Sequence, residues 1–161
     1  MKIGCVLMAA GLGRRFGENK LTVDLGCGET LINYALSAIP GDKLHRVVVV
    51  TQYPQVAALA EKCSFTPLHN PYPERGQSES IRIGLAALAD CDAVMFQVAD
   101  QPRLKKETVA DLIGFAAAHP DRIVGLGHSG RRGNPCIFPA RFFPELMALT
   151  GDCGGRSVIL A

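Results

Sequence analysis

The chain has 161 residues, of which 48% are apolar and 20% charged, and its formal net charge is +2. That composition excludes a disordered chain and a general polyanion-binding surface, so a soluble protein with one proper core is expected and a nucleic-acid partner is not. No apolar run is long enough to span a bilayer, so no membrane partner is expected.

In chain order, apolar strand-like runs alternate with helical patterns. Met1-Lys2 leads into Ile3–Ala9. Glycines and two arginines follow it in place of a cleavage site, so it reads as a first strand rather than a signal peptide. A glycine-rich loop comes next, then a helix over Thr30–Ala38 that ends at Pro40-Gly41. Arg46–Thr51 is a strand, Pro54–Cys63 a helix and Phe65–Leu68 a strand. A helix over Ser78–Ala89 follows, with Ile81, Leu85 and Leu88 at helical spacing. Ala93–Val98 is a strand, Lys105–His119 a helix closed by Pro120, and Arg122–Leu126 and Pro135–Phe138 are strands before a last helix over Ala140–Leu149. Val47–Val50 and Ala93–Phe96 are continuous apolar runs, which belong to parallel strands covered on both faces. Strict alternation predicts an α/β fold, a single Rossmann-like, doubly wound and mostly parallel sheet with helices on both faces, in one domain over residues 1–161. Ligands of such sheets bind beyond the carboxyl ends of the strands, and Gly11, Thr51 and Asp100 all follow strand ends.

Cys5, Cys27, Cys63, Cys91, Cys136 and Cys153 are scattered without a Cys-x-x-Cys pair. The pattern suits reduced thiols in a cytoplasmic enzyme better than a disulfide scaffold or a zinc site. The four histidines are equally dispersed and read as surface or turn residues.

The loop after the first strand holds Gly11, Gly13 and Gly17 together with Arg14, Arg15 and Lys20. Small residues let backbone approach a ligand, consecutive N–H groups form an anion site, and three cations suit a polyphosphate. A turn with solvated arginines is the plainer reading, but three cations in one loop favour phosphates. A P-loop is excluded, because Lys20 is preceded by Asn19 and followed by Leu21. A dinucleotide fingerprint is disfavoured twice: its third glycine position is Phe16, and the second strand ends in Thr51-Gln52 rather than an acid.

Ala9-Ala10-Gly11-x-Gly13-x-Arg15-x-Gly17-x-x-Lys20 resembles the signature loop of Rossmann-like nucleotidyltransferases, the group with the nucleotide-diphospho-sugar transferase fold. Within them the chain is most similar to the molybdenum cofactor cytidylyltransferases. Three later segments carry the narrower match: Gly76-Gln-Ser-Glu-Ser80, Asp100-Gln-Pro102, and Arg131-Arg-Gly-Asn-Pro135 followed by Leu149-Thr-Gly-Asp-Cys-Gly-Gly-Arg156. The resemblance implies Mg²⁺, with Asp100 as its ligand. It assigns Ala9, Ala10, Gly11, Gly13, Arg14, Arg15, Lys20, Gly76 and Ser80 to the nucleotide, with Arg15, Lys20 and Asp100 acting in catalysis. Arg131, Arg132, Asn134, Asp152 and Arg156 fall to a pterin substrate with a terminal phosphate.

From the residues themselves, Asp100 either caps the turn at Pro102 or holds a metal, and the phosphate loop favours the metal. Ser78 or Ser80 suits a helix N-cap, a role compatible with reading a base. Asn134 stands where the family pattern usually has His, and an amide does not titrate near neutral pH. Family members continue past the Gly-Asp-x-Gly-x-Arg segment to another strand, a helix and a second acidic metal ligand. This sequence stops at Ala161, leaving Asp152 as its late carboxylate.

The expected reaction joins CMP from CTP to the terminal phosphate of molybdopterin cofactor, with a molybdoenzyme or its chaperone as the onward partner. The alternatives are GMP transfer to the same cofactor, CMP transfer to another small phosphate, or a non-catalytic carrier of the cofactor or nucleotide.

Overall fold

The computed structural model describes residues 1–11 and 20–160. The strands are β1 (Ile3–Ala9), β2 (Arg46–Thr51), β3 (Thr66–His69), β4 (Ala93–Val98), β5 (Val124–His128) and β6 (Arg131–Pro139). The helices are α1 (Leu31–Ser37), α2 (Pro54–Lys62), α3 (Gln77–Ala87), α4 (Lys106–Ala118), α5 (Phe143–Met147) and α6 (Arg156–Leu160). One sheet runs in the order β3-β2-β1-β4-β6-β5. β1 pairs parallel with β2 and β4, and β2 pairs parallel with β3. β6 is antiparallel to both β4 and β5.

Alternate strand residues feed two apolar layers. Cys5, Leu7, Val49 and Met95 face α1, α2 and α4. Val6, Val48, Val94 and Phe96 face α3, α5 and α6. The expected doubly wound sheet, covered on both faces, is therefore present. Alternation stops at β5 and β6, two successive strands as expected, which are joined by a turn at Ser129 (φ 50°) and Gly130 (φ 75°). Two consecutive left-handed residues make a tight hairpin turn, which reverses the chain and sets β6 antiparallel. β5 lies two residues later than the expected Arg122–Leu126, and β6 extends the expected Pro135–Phe138 at both ends, chiefly toward the turn. The expected last helix is a 3-10 turn at Ala140–Phe142 running into the short α5. The short α6 was not foreseen, and its Val158 closes the second layer.

All six cysteines are free. Burial pushes the Cys5 thiol far up and raises Cys136 to about 11, so both are inert core thiols. Among the described residues no helix is long and apolar enough to cross a membrane.

α3 lies unusually close to β1. A Cβ on Gly84 would stand 2.5 Å from Val6 Cγ1, and one on Gly4 would meet Leu88 Cδ1 at 2.9 Å. At the opposite end of this contact, Arg46 donates to Ala87 O at 2.9 Å and to both Asp90 oxygens at 3.0 and 3.2 Å. His45 Nε2 lies 3.6 Å from the same carboxylate. Desolvation pushes the Asp90 carboxyl up. Its backbone hydrogen bond and the neighbouring Arg46 and His45 outweigh that, so the group titrates below its usual 3.8.

Two outcomes follow. Gly84→Ala should destabilise the protein by about 1–2 kcal/mol, overpacking against Val6 outweighing the gain in helix propensity. Combined with Val6→Ala, most of that loss should return in a double-mutant cycle followed by urea denaturation; simple additivity would show that the contact is loose. For Asp90 the folded pKa is depressed, so its contribution exists at neutral pH and disappears as pH falls through the folded value. The stability gap between wild type and Asp90→Asn, measured by denaturation across acidic pH, should therefore close below 3.8.

Candidate functional site

The carboxyl ends of β1 and β4 and the amino end of α3 enclose a crevice of about 580 Å³. Its walls include Ala9, Ala10, Gly11, Lys20, Gly76, Ser80, Asp100 and Asp152, so most of the expected site residues converge there. Gly13, Arg14 and Arg15 lie outside the described residues. Arg131, Arg132, Asn134 and Arg156 do not line the crevice. The register Ala93↔Pro139 and Phe96↔Cys136 carries Arg131–Gly133 past the carboxyl end of β4, with Asn134 level with its last residue, on the same edge of the sheet as Asp100. Arg156 opens α6 and is exposed.

Asp100 follows β4 directly, and its carboxylate stands 3.5 Å from Lys20 Nζ. The turn after it closes without its side chain, through Leu104 N–H donating to Gln101 O at 3.2 Å, with Pro102 in the second turn position. Asp100 is thus aimed at the crevice rather than spent as a cap. The ion pair is half-exposed, with side-chain accessibilities of 37% and 51%. Such a pair contributes only about 0–1 kcal/mol. A phosphate on Lys20 and a cation on Asp100 can replace it at little cost. Among the described residues no group of three or more His, Cys, Asp or Glu side chains forms a ready-made metal cage. An open carboxylate facing a phosphate-sized space still fits Mg²⁺, which takes one or two carboxylates and completes its shell with substrate phosphates and water.

The opposite wall is built on Gly76. Its φ of +85° and ψ of −169° suit glycine alone. A Cβ there would fall 2.7 Å from the Asp152 backbone. The α3 N-cap is Gly76, not Ser78 or Ser80 as the sequence suggested. Ser78 is fully buried; its hydroxyl donates to Gly151 O at 2.7 Å. Asp152 supplies the missing cap from a distance, its Oδ1 accepting from Gln77 N–H at 3.2 Å. Arg82 extends the tie, donating to Leu149 O and to Glu79 Oε2. Part of the segment expected to meet the pterin therefore packs on the α3 terminus.

Several polar groups escaped the sequence reading. Asn70, 1% exposed, donates from Nδ2 to Ser80 Oγ at 3.1 Å, while its Oδ1 accepts from Tyr72 N–H at 2.9 Å. The second bond fixes which way the amide points. Ser80 Oγ thus accepts from Asn70, which leaves its own proton available for donation. Gln52 and Tyr53 hold the start of the loop after β1 through Ala10 and Gly11. The sequence marks Gln52 only as a non-acidic strand end, and nothing in it distinguishes Asn70 from a surface amide.

The family model for the MobA-like NTP transferase domain matches residues 5–161. The chain belongs to that family. The resemblance read from the motif segments holds at this level. A relative in the family's neighbourhood is the purine catabolism protein PucB of Bacillus subtilis (strain 168), 27% identical over 165 residues that span 96% of this chain and 78% of that protein. Another is the nicotine blue oxidoreductase of Paenarthrobacter nicotinovorans, 29% identical over 161 residues, with 94% and 78% covered. The fold is shared by Rv0371C of Mycobacterium tuberculosis H37Rv, solved in complex with manganese, with a TM-score of 0.71 at 19% identity over 100% of this chain and 83% of that one.

Gly76→Ala tests the site wall. Strain at positive φ and collision with the Asp152 backbone should destabilise the protein by about 1–3 kcal/mol. Hydrogen exchange should show the first turn of α3 and residues 149–152 losing protection together. Unchanged exchange in both would mean that the two segments are not joined through Gly76.

Proposed function

We propose that the chain transfers CMP from CTP to the terminal phosphate of a molybdopterin cofactor. A phosphate oxygen of the cofactor bonds to the α-phosphorus of CTP. The bond from that phosphorus to the β-bridging oxygen breaks, and pyrophosphate leaves with the electron pair. The observation that carries this reading is the convergence of Ala10–Gly11, Lys20, Asp100 and Ser80 on one crevice at the strand ends.

In this reading Lys20 holds the β- and γ-phosphates, and with Arg15 it steadies the leaving pyrophosphate. Ser80, held as an acceptor by Asn70, presents its hydroxyl proton to a carbonyl or ring nitrogen of the base. The Ala10 methyl narrows the space beside the nucleotide and favours cytidine over the larger guanine. The Arg131–Asn134 run and Arg156 meet the incoming phosphate from the β6 side of the crevice, Arg side chains offering it a planar fork. Asp100 would hold Mg²⁺, which would supply charge neutralisation at the phosphates. A structural neighbour solved with manganese supports a divalent ion here. Catalysis in this arrangement is positioning and charge stabilisation, with no covalent role for the protein.

The relative named as an oxidoreductase does not redirect this reading. At the end of β2, where a dinucleotide site places an acid for the ribose, Gln52 is engaged with the Ala10 carbonyl.

Pyrophosphate release from CTP in the presence of molybdopterin cofactor and Mg²⁺ is the test. Turnover should exceed that with GTP, and Asp100→Asn should lower it by roughly two orders of magnitude or more while the fold survives. Release that is equal with GTP would remove the cytidylyl assignment. Near-normal turnover of Asp100→Asn at low Mg²⁺ would remove the metal role, and binding of CTP without any release would point to a carrier.

A further inference from the structure

The carboxyl end of β2 supplies two side chains to which the proposed reaction assigns no part. Gln52 Nε2 donates to Ala10 O at 3.0 Å and to the Tyr53 hydroxyl oxygen at 3.1 Å. The Tyr53 hydroxyl donates in turn to Gly11 O. A phenol has one proton, so the chain of bonds has a single direction, from amide to hydroxyl to carbonyl. Tyr53 is anchored behind it by its own N–H, which donates to Thr51 Oγ1 at 3.1 Å. It also forms the N-cap position of α2.

The bonds lie beyond the last paired residues of the ladder, Ala9↔Thr51, so the pairing of β1 with β2 does not depend on them. Their effect is on peptide orientation. In a trans peptide the C=O and the following N–H point in opposite directions. The Ala10 carbonyl is drawn toward β2, so the Gly11 N–H is turned the other way. β4 lies on that other side of β1, and Asp100 and the crevice lie at its end. Gly11 has no side chain, and open space surrounds its Cβ position. Among the described residues, the side chains that hold the Ala10 and Gly11 carbonyls are Gln52 and Tyr53.

From these contacts the geometry points to Gln52 and Tyr53 as positioning residues that aim the Gly11 amide at the phosphates of the bound nucleotide. The inference rests on the nucleotide reading of the crevice. It adds two residues outside the cavity lining, acting through backbone they hold rather than through contact with substrate. Preorganised amides bind an anion without reorganising at the moment of binding. Burial raises the Tyr53 hydroxyl above its ordinary value, against the opposing pull of Gln52, so it remains a donor at neutral pH.

The test titrates wild type, Tyr53→Phe and Gln52→Leu with Mg·CTP, cytidine and inorganic tripolyphosphate by calorimetry, alongside thermal melting. Each substitution should weaken CTP and tripolyphosphate by about 3- to 10-fold, the worth of one hydrogen bond, and leave cytidine unchanged. The double variant should lose less than the product of the two, because the bonds form one chain. A merely structural role would lower melting and weaken all three ligands alike, and that result overturns the inference. So does unchanged tripolyphosphate affinity in folded Tyr53→Phe, or an unfolded Tyr53→Phe, which would make the clamp part of the fold. If Gln52→Leu fails to fold, Tyr53→Phe, one oxygen smaller, decides. Wild type that binds tripolyphosphate but prefers no nucleotide defeats the nucleotide reading and leaves the clamp standing; wild type that binds neither overturns both.

Discussion

The close seat of α3 on β1 is the contact on which the site depends. Gly84 faces Val6, and Gly4 faces Leu88, so helix and strand approach where a single Cβ would push them apart. Because the helix is held there, its first turn reaches the level of the strand ends. Gly76 and Ser80 then share a crevice with Ala10, Lys20 and Asp100. A wider spacing would leave the same residues in the chain but on separate surfaces.

The site is tied more firmly at its edges than at its centre. On one side Ser78, Gln77 and Arg82 bind residues 149–152 to α3. On another, Gln52 and Tyr53 bind the backbone after β1. In between, Lys20 and Asp100 meet in a half-exposed ion pair of small worth. Rigid walls around a weakly held charged pair suit a polyanion and a cation that arrive together. The wall holds geometry, and the centre exchanges partners without a large desolvation penalty.

Family and site agree on nucleotidyl transfer, while two relatives carry names from purine catabolism and from nicotine blue oxidation. One fold can host different substrates, so the differing names of these relatives are compatible with one shared architecture. The turn at Ser129-Gly130 matters here beyond topology. By making β6 antiparallel it brings the start of that strand, with Arg131 and Arg132, to the edge where the strands that run with β1 end.

The layer pattern was legible in the sequence because burial on two faces demands continuous apolar runs. Val47–Val50 and Ala93–Phe96 could be placed on central strands with no other information. The crevice location followed from topology alone, since Gly11 and Asp100 come directly after strands. The hairpin at Ser129-Gly130 is not legible because the apolar pattern stops at Leu126 and resumes at Pro135, and the exposed, glycine-rich strand ends between them read as loop until pairing is known. α6 was not read either, since five residues carry too little periodicity. By itself the sequence determined the central parallel strands, their covered faces and the glycine-rich and acidic residues at the strand ends. Only the tertiary structure decided that Asp152 caps α3, that Asn70 turns the Ser80 hydroxyl into a donor and that Gln52 and Tyr53 hold the Gly11 peptide. Apolar burial follows a period that the chain displays locally. Hydrogen bonds between residues from 10 to 75 positions apart have no local signature, and they exist only once the chain has folded.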